Sequence, residues 1–171
     1  YSNTGNACAG LGVNALSGNQ GTTSSGVGHA VLQYNTGDNS IGFGSRAGRY
    51  NTGNSLVALG YWSAEWNIGI ETSLVGLQAG RQNTGNQVAG VGFVALSANT
   101  GDNVVALGYF SGRYNTGNYN TFLGSRIGSN FDANDSAAKT FDYTAVDPGT
   151  DRITIPAHGF GAAGQYKNLK F

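Results

Sequence analysis

The side chains able to do acid–base, nucleophilic or metal chemistry are few in this chain. Two histidines (His29 and His158) and one cysteine (Cys8) occur among 171 residues. No Ser/His/Asp, Cys/His or metal-ligand spacing accompanies them, and the glycine-rich stretches lack the strand, helix and Lys order of a phosphate loop. No catalytic residue, metal site or cofactor is expected, and the chain does not read as an enzyme. Nucleic acid is not an expected partner, because residues 1 to 130 contain no Lys and phosphate binding needs a clustered basic field. The surface chemistry that remains is aromatic. Tyr34, Tyr50, Tyr61, Trp62, Trp66, Phe93, Tyr109, Phe110 and Tyr114 are interleaved with Arg49, Arg81 and Arg113. Exposed rings beside guanidiniums suit stacking on sugars or contact with a protein; the alternative is that the rings stack on one another to stabilise corners.

These residues are carried by a sixteen-residue repeat. Asn recurs at Asn3, Asn19, Asn35, Asn51, Asn67, Asn83, Asn99 and Asn115. A Gly follows two positions later each time (Gly5, Gly21, Gly37, Gly53, Gly69, Gly85, Gly101, Gly117), and another seven positions after that, from Gly12 to Gly124. Such a period marks a repeat array over residues 3 to 130. Numbering each unit from its Asn, the opening positions predict a turn, since Asn and Gly accept positive φ. In the unit Asn51 to Trp66, Ser55 to Leu59 reads as a strand, Gly60 as a bend and Tyr61 to Ala64 as a second strand. That describes one coil of an all-β solenoid, a parallel β-roll of eight coils. Equivalent Asn side chains then stack at the strand spacing of about 4.8 Å, where they form an amide ladder or serve the turn alone. Asp38 and Asp102 share one turn position four coils apart, roughly 19 Å at that spacing and too far for an acid pair. Calcium-binding rolls need an Asp in nearly every unit, which these do not have.

Position nine is apolar in every unit and shares a face with position seven, so this face is expected to line the coil's thin core. The opposite face, positions six and eight, is apolar too: Gly10, Gly26, Gly42, Leu56, Ala58, Leu74, Val88, Gly90, Val104, Ala106 and Phe122. A strand apolar on both faces is buried on both, so the rod is expected to associate through this second face. Leu74 and Phe122 place bulk where other units have Gly or Ala, and are read as a local widening or the end of the roll.

Composition agrees with a rod. Gly supplies 29 residues and charged residues only 11%, against about 7% Gly and a quarter charged in ordinary domains, and the formal net charge is zero. No apolar run approaches the ~20 residues of a membrane-spanning helix, so membrane insertion is not expected. Cys8 cannot pair within the chain, and reads as a small buried residue rather than one meeting its copies at an axis. Met is absent even at position 1, which suggests a piece of a longer protein.

Asn51 to Tyr61 (NTGNSLVALGY) and Asn99 to Tyr109 (NTGDNVVALGY) resemble the head repeats of trimeric autotransporter adhesins. Asn115 to Gly128 (NTGNYNTFLGSRIG) is similar to repeats of phage tail fibres. The resemblance covers residues 3 to 130 and implies a homotrimer of left-handed parallel β-rolls with one strand of each coil at the three-fold axis. The units opening at Asn19 and Asn67 depart from the pattern. Residues 131 to 171 break the period. Thr140 to Val146 and Arg152 to Ile155, joined through Asp147 to Asp151, predict a hairpin, and Ile153 to Phe160 resembles a short motif of phage tail β-modules. This segment is expected to cap the roll and to lead into further fibre or tail segments beyond residue 171. The expected function is a trimeric phage tail-fibre spacer on the virion that contacts a host surface glycan or protein. The alternative is a bacterial surface adhesin head. An ice-binding solenoid is a minor third, suggested by the column Thr4, Thr36, Thr52, Thr84, Thr100 and Thr116.

Overall fold

The computed structural model describes residues 2 to 129, together with two short strands near residue 150. Each repeat contributes one strand: β1 Ala9–Leu11, β2 Ser25–Val27, β3 Ile41–Phe43, β4 Leu56–Leu59, β5 Thr72–Val75, β6 Val88–Val91, β7 Val105–Leu107 and β8 Thr121–Leu123. The eight strands form one parallel sheet in chain order. Every pair keeps the sixteen-residue offset, as in Ile41 opposite Val57 and Ala89 opposite Val105. The result is an all-β parallel solenoid of about seven turns, with no helix among the described residues. Near residue 150, β9 (Val146–Asp147) and β10 (Arg152–Ile153) pair antiparallel. The rest of the expected hairpin and the motif at Ile153 to Phe160 lie outside the described residues.

The interior is the face expected to lie outside. Leu56, Ala58, Leu74, Val88, Val104, Ala106 and Phe122 are buried in one core cluster with Leu16, Val31, Leu32, Ala47, Ala79 and Leu96. Gly10, Gly26, Gly42 and Gly90 face the same interior, since a Cβ on any of them would crowd Leu16, Val31, Leu32 or Leu96. The expected axial set is therefore the coil's own core, and positions seven and nine face outward. Alternation separates two faces without saying which way the chain closes. Here positions 13 and 14 fold back against positions six and eight. The small residues at position eight make room for that wall, not for another chain.

Size matching across this narrow interior also corrects the reading of the bulky units. Leu74 faces Gly80 and Phe122 faces Gly128, where any Cβ would collide with the larger side chain. The arrangement reverses where Gly10 meets Leu16 and Gly90 meets Leu96. Leu74 and Phe122 are fully buried against Gly80 and Gly128, so neither widens the roll, while Phe122 does stand in β8, the last strand of the sheet.

The invariant residues have stacking reasons. Asn67 donates one N–H to Asn51 Oδ1 (2.8 Å) and the other to the Gly69 carbonyl (2.8 Å), while its own Oδ1 accepts from Asn83 (2.9 Å). The ladder runs unbroken from Asn3 to Asn115. Amide ladder and turn bond are thus made by the same side chain. The first Gly is not at positive φ. It is required because a Cβ on Gly53 would strike the carbonyl oxygen of Gly69 in the next coil.

Positive φ lies elsewhere. The second Gly of each unit has φ between 127° and 141°, and non-Gly residues at positions 5, 12, 14 and 16 have φ between 47° and 60°. Trp62, Ala64 and Trp66 illustrate the last three. The expected second strand is accordingly a run of turns over residues 61 to 66. Left-handed L-residues cost about 1–2 kcal/mol each, and here the conformation aims their N–H groups along the rod. Trp62 and Trp66 donate to Ser45 and Arg49 of the preceding coil, and Ala64 to Ala79 of the following one, at 2.8–3.0 Å. Buried backbone donors are thereby satisfied on both sides of the coil.

Candidate binding edge

The turn run projects positions 11, 12, 15 and 16 to one edge of the rod, and the interleaved rings and arginines collect there in two groups. In the first, Tyr34 stacks on Tyr50 (5.2 Å, 10°) and Tyr50 on Trp66 (5.8 Å, 5°). The position-sixteen column is therefore a stacked ladder, the alternative weighed from sequence. It still leaves Trp66 40% exposed. Tyr61, also exposed, leans on Trp62 (4.6 Å).

Guanidiniums fill the spaces between the rings. Trp62 has Arg46 from the coil before at 5.5 Å and Arg81 from the coil after at 5.3 Å, and Arg81 also lies 5.0 Å from Trp66. Arg49 lies 4.5 Å over Tyr50, donating to the Tyr50 hydroxyl (2.9 Å) and to Gln33 Oε1 (3.0 Å). Such contacts each contribute on the order of 0.5–2 kcal/mol. They hold both partners' orientations.

Two members were missed in the sequence. Glu65 sits at position fifteen between Arg49 and Arg81; it is 1% exposed and reaches Arg49 at 3.8 Å and Arg81 at 3.2 Å. Arg46 stands at position 12, apart from Arg49, Arg81 and Arg113 at position 15. The sixteen-residue spacing already placed Glu65 between the two arginines, and that signal was available.

The second group lies three coils on. Phe93 stacks on Tyr109 (5.2 Å, 12°), Phe110 meets both edge-on, and Arg113 lies 4.4 Å over Tyr114 while donating to its hydroxyl (2.6 Å). Arg126 lies 5.9 Å over Tyr109. The structure brings Tyr34, Tyr50, Tyr61, Trp62, Trp66, Arg49 and Arg81 together in one group. Tyr109, Phe110, Arg113 and Tyr114 form the other.

Charge is segregated around the rod. All five arginines of the repeat array stand at positions 12 and 15, whereas Asp38 and Asp102 stand at position 4 and Glu71 at position 5. The position-four column is a second ladder of side-chain acceptors. Asp38 Oδ1 accepts the Thr22 amide (2.7 Å) and hydroxyl (2.8 Å), and Asn86, Asp102 and Asn118 cap backbone amides of preceding coils in the same way. The bonds from Thr22, backbone first, hold the Asp38 carboxyl below its usual range. The Thr column at position two is exposed as a single file. Cys8 is a half-buried free thiol in the interior column that Ser24 and Ser40 continue, beside Asn19 Nδ2 at 3.4 Å. Among the described residues no three His, Cys, Asp or Glu side chains gather as a metal site, and no helix is long and apolar enough to cross a membrane.

The remaining feature is an apolar strip on the strand side. Leu11 (70% exposed), Val27, Ile41, Phe43 (59%), Val91, Val105, Leu107 and Leu123 (70%) point outward from positions seven and nine along the length of the sheet. At its β1–β4 end the strip forms a shallow apolar groove around Leu11, Val27, Ile41, Phe43 and Leu59.

No protein-family model, curated protein or solved structure matches the chain.

Proposed function

We propose that this chain is a structural fibre segment of the phage tail-fibre kind, a trimeric spacer whose aromatic and arginine edge contacts a surface glycan of the host. The observation that carries the reading is the apolar strip. Each coil closes its own core with positions six, eight, 13 and 14, yet positions seven and nine expose Leu, Val, Ile and Phe along the sheet. An apolar strip exposed over β1–β3 and β6–β8 and half-buried across β4 and β5 marks an association surface. Copies of the same rod, laid parallel, offer a partner of matching length and period. The number three comes from the likeness of the NTGNSLVALGY units to trimeric fibre and adhesin repeats. In such an assembly the strip faces the axis, and the edge formed by positions 11, 12, 15 and 16 remains outside.

Sedimentation equilibrium of the chain should give the mass of three copies. Phe43→Glu with Leu107→Glu should yield monomers whose circular dichroism retains the β signature, since both side chains point away from the core. A monomeric parent chain overturns the trimer and the spacer role with it.

A further inference from the structure

We infer that the first edge group is a site for an acidic saccharide, with Arg46 receiving the sugar's carboxylate or sulfate. The inference deepens the proposed glycan contact and rests on that reading.

Three guanidiniums converge here, those of Arg46, Arg49 and Arg81, and Glu65 is the acidic residue set between them. Glu65 is buried and engaged by Arg49 and Arg81. It answers one positive charge and presents none of its own to solvent. Arg46 contacts the Trp62 ring and has no acidic or hydrogen-bonding side-chain partner among the described residues. Two positive charges are therefore in excess on a small area. The remaining acids of the repeat array, Asp38, Glu71 and Asp102, stand at positions 4 and 5, on the other side of the strand from the turn run. A chain of zero net charge thus carries a localised cationic edge.

Order at the site supplies the second half of the recognition. Arg46, Trp62, Arg81 and Trp66 alternate cation and ring, with each gap between 5.0 and 5.5 Å. Each ring is fixed by its neighbours before any ligand arrives. Tyr50 and Arg81 cover the Trp66 ring, so its exposed rim and the exposed Tyr61 supply apolar contact for the C–H groups of a pyranose, and a planar guanidinium suits a bidentate anion. A neutral sugar would use the rings and leave the guanidinium hydrated. An acidic peptide would use the guanidinium and leave the rings bare. An acidic sugar uses both.

The test is calorimetric titration of the chain with a hexasaccharide containing uronic acid, with its carboxyl-reduced neutral counterpart, and with hexaglutamate. The acidic sugar should bind at least about tenfold tighter than the other two at low salt, and that advantage should shrink as salt is raised. Arg46→Gln should reduce the acidic sugar to the neutral one's affinity while the neutral sugar's own affinity stays as in the parent, with the β signature kept and the thermal midpoint lowered only by the lost Trp62 contact. Arg46→Lys, which keeps the charge and loses the fork, should fall between. Equal binding of acidic and neutral sugars overturns acid recognition while leaving the glycan contact standing. Hexaglutamate binding as tightly as the acidic sugar overturns the saccharide assignment, and no binding by any probe overturns both readings. Parent-like affinity in Arg46→Gln removes Arg46 from the site.

Discussion

At the scale of single residues, the Asn column explains why position one does not vary. An Asn67 amide turned the other way would set its carbonyl against the Gly69 carbonyl, so the donor orientation is forced. Asn67→Asp would bury a charge and replace donors with an acceptor. Asn67→Ala would strand the Asn83 donor and the Asn51 and Gly69 acceptors, at about 1–3 kcal/mol for each group left unpaired. Urea denaturation should find Asn67→Ala destabilised by several kcal/mol, and a change below about 0.5 kcal/mol would mean that the ladder adds nothing. Asp38 gives a pH-dependent counterpart. Its folded pKa is depressed by the bonds from Thr22, so its contribution is present above the ordinary Asp value of 3.8 and is lost as pH falls through the lower folded value. Asp38→Asn keeps the accepting Oδ1 and removes the titration. The stability of the parent relative to Asp38→Asn should therefore fall as pH drops below about 4, and parallel pH profiles would contradict this. The Asn ladder could be anticipated from the sequence, because a strict period stacks like on like. The reason for the first Gly could not, since it depends on the neighbouring coil's carbonyl and not on φ.

At the scale of the coil, the period fixed the strand and its register, while the inside and outside came out reversed. Val57 and Leu59 are as apolar as Leu56 and Ala58, so composition along β4 carries no direction. The direction comes from the left-handed residues at positions 12, 14 and 16, whose side chains include Trp62, Leu96 and Val94 and give no local hint of positive φ. A readable signal did exist in the pairing of large with small across positions 8 and 14. Leu74 with Gly80 and Gly90 with Leu96 are the same solution in opposite order. Leu74→Gly alone should cost at least the 2–5 kcal/mol of a buried Leu→Ala change, and Gly80→Leu alone should overpack. The double variant recreates the Gly90/Leu96 arrangement, and Leu at position 14 already tolerates the required φ, 53° at Leu96. A double-mutant cycle should recover most of the combined loss, whereas simple additivity would show that the two positions do not share one space.

At the scale of the whole molecule, the rod is held by contacts between successive coils. Its sheet joins each strand only to the neighbours sixteen residues away, and both Asn and Asp/Asn ladders step one coil at a time. Stability in such an array is a sum of coil and interface contributions, so damage at one interface should divide the rod without dissolving it. Gly69 stands at the middle, and a Cβ there would strike the carbonyl oxygen of Gly85. Gly69→Ala should force the coils holding β5 and β6 apart while leaving the β1–β5 and β6–β8 ladders intact. Hydrogen exchange should then show amides such as those of Ile68 and Gln87, which bond to Asn83 and Ile70 across that interface, losing protection first, with the donors of Ser25 and Gly108 following at lower denaturant dependence than in the parent chain. A single loss of protection across all coils at once would mean that the rod unfolds as one body, and that its repeats are cooperative beyond their nearest neighbours.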